Sequence, residues 1–150
     1  MYQVKIMSLA KPGLMTHLVV TENPHQYSSI GAVVEFKHDH RVDHLEPDCT
    51  IQIASIKMEL NQTFIPHIHE DFFRNSMYTN TKECWVIIRG LVLSSLFDID
   101  GRKLLDLELS DGDLITTISG GHNYKCLSSD ALVFEIKTGP YNEKLDKKRI

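Results

Sequence analysis

The sequence has few of the features that mark secreted or membrane proteins. It contains three cysteines in 150 residues, and no two of them form a CxxC pair. This odd, widely spaced set predicts free thiols and a reducing, cytoplasmic location. No apolar run approaches the ~20 residues of a membrane span. Lys5, Lys11 and Pro12 interrupt the apolar N-terminus, so we expect no signal peptide there.

Positive charge is also scarce. Lysine and arginine together number 16 against 20 acidic residues, which gives a formal charge of -4 and a pI near 6.0. We therefore expect no binding to nucleic acid or to an anionic membrane. A hydrophobic content of 42% with 24% charged residues is ordinary for a globular protein. The length suits a single domain with its own core.

Short β-type runs separated by turn signals fill the chain from about residue 50 onwards, and no long capped amphipathic helix is evident. Asp100-Gly101 and Asp111-Gly112-Asp113 are strong turn signals, because glycine accepts the positive φ that a tight turn needs. The pattern predicts an all-β antiparallel sandwich or barrel. The predicted strands are 50–60, 83–89, 91–99, 103–109, 114–118 and 131–137.

The N-terminal third is less regular. It could hold strands at 16–21 and 32–37 with a polar loop, 22–31, between them. Such an arm could pack on the barrel or exchange with a second subunit, and sheet edges need cover, so we expect a homodimer. The predicted parts are an arm over 1–45, a barrel over 46–140 and a solvated, polar basic tail over 141–150.

Two histidines and a later carboxylate suit a metal site. His67 and His69 follow Pro66 and lie two apart, so in an extended segment both imidazoles project from one face. Glu83 opens the next clear strand, and we predict a loop over 70–82 between them. Its carboxylate could neutralise part of the charge of a bound cation.

A third histidine, His122, follows Gly120 and Gly121, where the absence of side chains lets the backbone turn sharply. Three imidazoles and one carboxylate can bind a divalent transition metal and leave positions open for substrate. This set of ligand types is compatible with Fe, Mn, Ni, Co and Zn, so it does not identify the metal. The alternative is a set of structural histidines. A second site in HDHRVDH (38–44) is conceivable, but we favour an exposed strand end there.

These residues resemble the two motifs of the cupin superfamily. The first motif is His67-x-His69, then Glu83, six residues and Gly90; the second begins at Gly112 and ends at His122. In this chain the spacer before Glu83 is longer than usual. The ending SGGH…FEIKTGPY looks like that of small single-domain cupins from bacterial surface-polysaccharide and sugar-modification gene clusters.

The resemblance implies a jelly-roll barrel, a double-stranded β-helix, with one metal in its mouth. A small, oxygen-rich and sugar-derived substrate is expected, with isomerase or epimerase chemistry favoured. An Fe(II) dioxygenase and a non-catalytic sugar-binding or regulatory barrel are the alternatives. The candidate catalytic residues near the metal are Glu70, Arg74, Arg89 and Tyr124, each of which could instead be an ordinary polar surface residue.

Overall fold

The computed structural model describes residues 2–7, 11–13, 15–21, 32–36, 40–74 and 76–150. The chain forms two compact units, residues 1–42 and 43–150. The first unit contains a three-stranded antiparallel sheet in the order β2-β1-β3. Its strands are β1 (Tyr2–Met7), β2 (Met15–Thr21) and β3 (Ala32–Phe36).

The arm was only partly predicted. β2 and β3 correspond to the strands predicted at 16–21 and 32–37, whereas β1 was not predicted. The predicted loop at 22–31 and Lys37 lie outside the described residues. Exchange of the arm with a second subunit stays a prediction.

Two further sheets have five strands each, in the orders β11-β10-β13-β6-β15 and β12-β9-β14-β5-β4. Their neighbouring strands are antiparallel wherever their register is defined. The strands are β4 (Arg41–Asp43), β5 (Ile51–Glu59), β6 (His67–His69), β9 (Glu83–Arg89), β10 (Val92–Phe97), β11 (Lys103–Leu109), β12 (Leu114–Thr117), β13 (Gly121–Cys126), β14 (Asp130–Thr138) and β15 (Lys147–Arg149).

This architecture confirms the predicted all-β antiparallel jelly roll. Apolar side chains from both sheets form the core, among them Ile56, Val92 and Val133. Trp85 of β9 stacks on Tyr124 of β13 with ring centroids 3.8 Å apart, so an aromatic pair joins the sheets. The predicted turns are present, since Gly101 and Gly112 have φ angles of 85° and 88°.

The segment predicted as a loop over 70–82 contains a small hairpin instead. Its strands are β7 (Phe72–Arg74) and β8 (Met77–Thr79), which pair antiparallel. Phe72 and Arg74 are buried while Phe73 between them is exposed. The extra length before Glu83 is therefore folded, and one face of the hairpin packs inward.

The C-terminal segment also differs from its prediction. Residues 141–150 were expected to be a solvated tail, yet they form a short helix, α1 (Glu143–Asp146), and then β15. Asn142 caps the helix by accepting a hydrogen bond from the Lys144 amide at 3.1 Å. β15 pairs with β6, the strand that carries His67 and His69. A charged edge strand resembles a tail in sequence because its outer side is solvated.

Cys49, Cys84 and Cys126 are all free thiols, as the sequence predicts. Among the residues that the structure describes, no helix is long and apolar enough to cross a membrane.

Candidate metal centre

Two paired strands bring three imidazoles together. His67 and His69 project from the inner face of β6, and His122 of β13 lies directly opposite His67 in the register. The rings are close, with centroids 4.7 Å apart for His67 and His122 and 5.3 Å for His69 and His122. One ring nitrogen from each histidine lies within 4.8 Å of the other two. All three residues are buried.

The Nδ1 atom of each imidazole has a fixed partner. His67 Nδ1 donates to the Ile65 carbonyl at 2.8 Å, and His69 Nδ1 donates to an Asp146 carboxylate oxygen at 3.1 Å. His122 Nδ1 shares a hydrogen bond of 2.8 Å with the Thr117 hydroxyl. A carbonyl or carboxylate can only accept, so at His67 and His69 the proton sits on Nδ1. Such outer hydrogen bonds orient metal-binding histidines.

The opposite nitrogen, Nε2, is buried and has no hydrogen-bond partner in any of the three histidines. A buried polar atom without a partner costs about 1–3 kcal/mol. Three such atoms converge on one point, and at His67 and His69 the neutral ring with its proton on Nδ1 carries the lone pair on Nε2. The donor set therefore fits a divalent transition metal.

Glu83 of β9 approaches this cluster from the other sheet. Its Oε1 lies 3.0 Å from His122 Nε2, and its Oε2 lies 3.3 Å from His69 Nε2. Neither contact has hydrogen-bond alignment, and Oε2 has no hydrogen-bond partner. Trp85 Nε1 donates to Oε1 at 3.0 Å and fixes the carboxylate. The Oε2 atom of Glu83 thus remains without a hydrogen bond and faces His69.

The electrostatics favour a cation at this point. Burial alone would raise the pKa of Glu83, but the imidazoles of His122 and His69 hold that pKa well below its usual range. Burial lowers the pKa of His69, yet the contacts with Asp146 and Glu83 outweigh burial and raise it. Two carboxylates that attract a proton to His69 also attract a metal ion.

His67 has a different environment. Burial, followed by the positive charge of Lys147, lowers the pKa of His67 to about 4. The imidazole is therefore neutral at physiological pH, which is the form that binds a metal.

Sequence reasoning missed Asp146, which is completely buried beside His69. Its other oxygen accepts from the Arg74 guanidinium at 3.0 Å and from the Thr81 hydroxyl. Burial would raise the pKa of Asp146, but the bonds from His69 and Thr81 lower it to about 2. The C-terminal helix thus supplies a permanent negative charge behind one histidine. The sequence signal for this helix was Asn142, a residue type that often caps a helix, followed by the acidic Glu143 in the first turn.

Two of the four candidate catalytic residues form ion pairs with other residues. Arg74 is buried, pairs with Asp146 and stacks on the Phe72 ring at 3.7 Å, so it holds Asp146 in place. Arg89 lies at the far end of β9, six residues and about 20 Å from Glu83. It pairs with Asp130 at 3.2 Å and is partly exposed.

The other two candidates lie near the cluster. Tyr124 is buried with its ring centroid 5.0 Å from that of His122, and its hydroxyl has no hydrogen-bond partner. Burial, with the charge of Glu83, raises the pKa of Tyr124 well above its usual value, so the hydroxyl keeps its proton. Glu70 follows His69 directly and is exposed at the rim of a cleft that also contacts His69.

The HDHRVDH segment does not form a metal cluster within the described residues, where the three histidines above are the one such group found. His38 lies outside those residues. His44 is buried, and its Nε2 lies 3.0 Å from the Ser55 hydroxyl, which is a structural contact.

Comparison with known proteins gives matches in structure alone. No protein-family model and no curated protein sequence matches the chain. KdgF from Halomonas sp. superposes with a TM-score of 0.51 over 69% of this chain and 80% of that chain, at 20% identity. An oxalate decarboxylase variant from B. subtilis gives a TM-score of 0.52 over 67% of this chain and 24% of that chain, at 16% identity.

A capsular polysaccharide assembling protein, CapF from Staphylococcus aureus, superposes with a TM-score of 0.61 over 77% of this chain and 33% of that chain, at 11% identity. At such low identities the likeness concerns the fold. These similarities agree with the two motifs in the sequence. The chain shares the jelly-roll fold of these structures.

Proposed function

We propose that this chain is a metal-dependent cupin that acts on a small, oxygen-rich, carbohydrate-derived substrate, with isomerase or epimerase chemistry. One observation carries the metal part of the proposal: three buried Nε2 atoms converge, none of them with an aligned hydrogen bond, while the opposite nitrogens are held. The likeness in fold to CapF, a capsular polysaccharide assembling protein, supports a substrate related to sugars.

His67, His69 and His122 would hold the metal, with Glu83 as a fourth ligand. Fe, Mn, Ni, Co and Zn are all compatible with these donors. When bound, such an ion supplies a Lewis acid that polarises a substrate carbonyl oxygen. The protein orients the imidazoles through Ile65, Thr117 and Asp146, and burial keeps bulk water away from the cluster.

Isomerisation also needs groups that accept and donate a proton. We propose that Tyr124 donates, since its hydroxyl is protonated and its side chain is buried beside His122. We propose Glu70 as the base, because it is the carboxylate next to His69 at the rim of the cleft.

The test is hydrogen exchange at carbon, followed by proton NMR in D₂O. Hydroxy-aldehyde and hydroxy-ketone sugars incubated with metal-loaded protein should lose the signal of the proton next to the carbonyl. Tyr124→Phe and His122→Ala should each abolish the exchange. An oxygen electrode run on the same mixtures separates the dioxygenase, which would consume O₂ in the presence of substrate.

A non-catalytic sugar-binding or regulatory barrel is the second candidate. It is favoured by the scarcity of acid–base groups, since Arg74 and Arg89 are both engaged in ion pairs away from a substrate. This candidate predicts ligand-induced thermal stabilisation without exchange or O₂ uptake. The stabilisation would persist in His67→Ala and His122→Ala.

We also propose that the protein is a cytoplasmic homodimer in which the N-terminal arm covers a sheet edge. Light scattering at micromolar concentration should give twice the 17.2 kDa mass of the chain. A monomer mass would contradict the dimer and leave the metal proposal intact.

A further inference from the structure

The edge strand β15 places alternate residues on opposite faces of the sheet. In its register with β6, Lys147 lies opposite His69, Arg149 opposite His67 and Lys148 opposite Ile68. Residues directly opposite each other in an antiparallel pair point to the same face. Lys147 and Arg149 therefore share the face of the two metal-binding histidines. Lys148 lies on the other face.

A cleft of about 450 Å³ lies beside this face. His67 forms part of the wall of this cleft, so the cleft reaches one of the proposed metal ligands. Its volume falls within the roughly 300–1,000 Å³ of small-molecule sites. The remaining lining includes Phe64, Tyr141, Glu143, Lys147 and Arg149.

The two cations of the cleft have no ion-pair partner among the residues that the structure describes. Lys147 and Arg149 are exposed, and within the described part of the chain neither side chain forms an ion pair or a hydrogen bond. Glu143 is the one carboxylate among the residues lining the cleft, and it is not paired with either cation. The positive charge of Lys147 also reaches His67, where it contributes to the low pKa of that imidazole.

We propose that Lys147 and Arg149 form an anion-binding subsite, which holds the carboxylate or phosphate of an acidic sugar beside His67. The guanidinium suits two parallel hydrogen bonds to either anion, and the ammonium adds a point charge. Phe64 and Tyr141 offer apolar surface for the ring of the sugar. The subsite thus narrows the substrate class to sugar acids or sugar phosphates.

The assignment of this anion to a substrate rests on the proposed function, whereas binding of the anion does not require the metal. Neutral sugars lack the group that the two cations recognise. Specificity would therefore come from this C-terminal strand, while chemistry would come from the histidine cluster.

The experiment is isothermal titration calorimetry on the full-length chain, with and without one equivalent of Co²⁺. The probes are glucose 6-phosphate, D-glucuronate and uncharged glucose. We expect at least one anionic probe to bind at least about tenfold more tightly than glucose, because charge-assisted hydrogen bonds are about twice as strong as neutral ones. The anion that binds identifies the group as phosphate or carboxylate.

The matched variants are Lys147→Ala, Arg149→Gln and Lys148→Ala. The first two should each weaken anion binding about tenfold or more, whereas Lys148→Ala, with the same change of charge on the opposite face, should change it less than about twofold. Thermal melts and Co²⁺ stoichiometry of each variant report its folding and its histidine cluster. All three variants should retain the wild-type melting temperature and the wild-type Co²⁺ stoichiometry.

Equal binding of glucose and the anions, absence of anion binding, or an equal loss in Lys148→Ala would overturn the subsite. The two proposals fail separately. Anion binding with this variant pattern but without Co²⁺ binding would remove the metal-dependent function and keep the subsite. Co²⁺ binding without anion selectivity would remove the subsite and keep the metal-dependent function.

Discussion

Replacing Asp146 with Asn should weaken metal binding and destabilise the fold through two different contacts. The Asp146 carboxylate accepts from His69 Nδ1 at 3.1 Å through one oxygen and from Arg74 at 3.0 Å through the other. Asn keeps the shape but removes the charge and turns one oxygen into a donor group. Arg74 loses its counter-ion in either orientation of the amide, and His69 loses the negative charge, or the whole hydrogen bond, that orients it.

The contacts of Asp146 set the expected magnitude of the loss of stability and of the loss of metal affinity. Asp146 and Arg74 are 0% and 4% exposed, so the variant leaves a charge buried without a partner. Removing one member of a buried ion pair costs about 3–5 kcal/mol. This is a large share of the roughly 5–15 kcal/mol that stabilises an ordinary domain. Loss of the hydrogen bond behind a metal-binding histidine typically lowers metal affinity about 10- to 100-fold.

Two assays separate these effects. Urea unfolding of the metal-free protein gives the change in the free energy of unfolding without any contribution from metal binding. Competition of Co²⁺ or Zn²⁺ against a coloured chelator gives the change in affinity.

A double variant, Asp146→Asn with Arg74→Met, tests the assignment of each contact. It removes the uncompensated charge, so most of the lost stability should return. Metal affinity should stay low, because His69 still lacks its carboxylate. Wild-type metal affinity in Asp146→Asn, or recovery of affinity together with stability in the double variant, would refute the role given to Asp146.

Three further predictions concern the other supports of the cluster. Thr117→Val removes the 2.8 Å hydrogen bond to His122 Nδ1 and should weaken metal binding about tenfold, whereas Thr117→Ser should restore it. Glu83→Gln keeps an acceptor for Trp85 but loses the charge, so chelator competition should show at least about a tenfold loss of affinity; an unchanged affinity would exclude a fourth ligand. Gly120→Ala should lower the free energy of unfolding by more than about 1 kcal/mol in urea, because Gly120 has a φ of 82° and an added Cβ would lie 2.5 Å from the Phe97 carbonyl oxygen; wild-type stability would contradict this strain.

The local pattern was sufficient to predict much of the barrel and the candidate histidines. Strand β9 has the predicted bounds, and the alternation in β6 puts His67 and His69 on one face. A glycine pair before His122 indicated a turn into a strand, and that strand pairs with β6. These features depend on residues within a few positions of each other, so a sequence pattern can report them.

Contacts between distant parts of the chain could not be predicted in this way. Asp146 lies 77 residues from His69, and its segment is so charged that a solvated tail was the natural interpretation. Arg74 alternates with exposed residues in a short hairpin, which offered no sign that its charge is buried. Burial of a charged residue depends on a tertiary partner, and the sequence does not say which residue that partner is.

Whether the histidine cluster holds a metal is tested most directly by elemental analysis of the full-length protein, purified without added metal. We expect about one equivalent of a transition metal per chain. The metal should be lost in a His67→Ala and His122→Ala double variant and retained in His40→Ala, which changes an exposed histidine outside the cluster. Wild-type protein that contains no transition metal and takes none up on dialysis against Co²⁺ would contradict the metal centre.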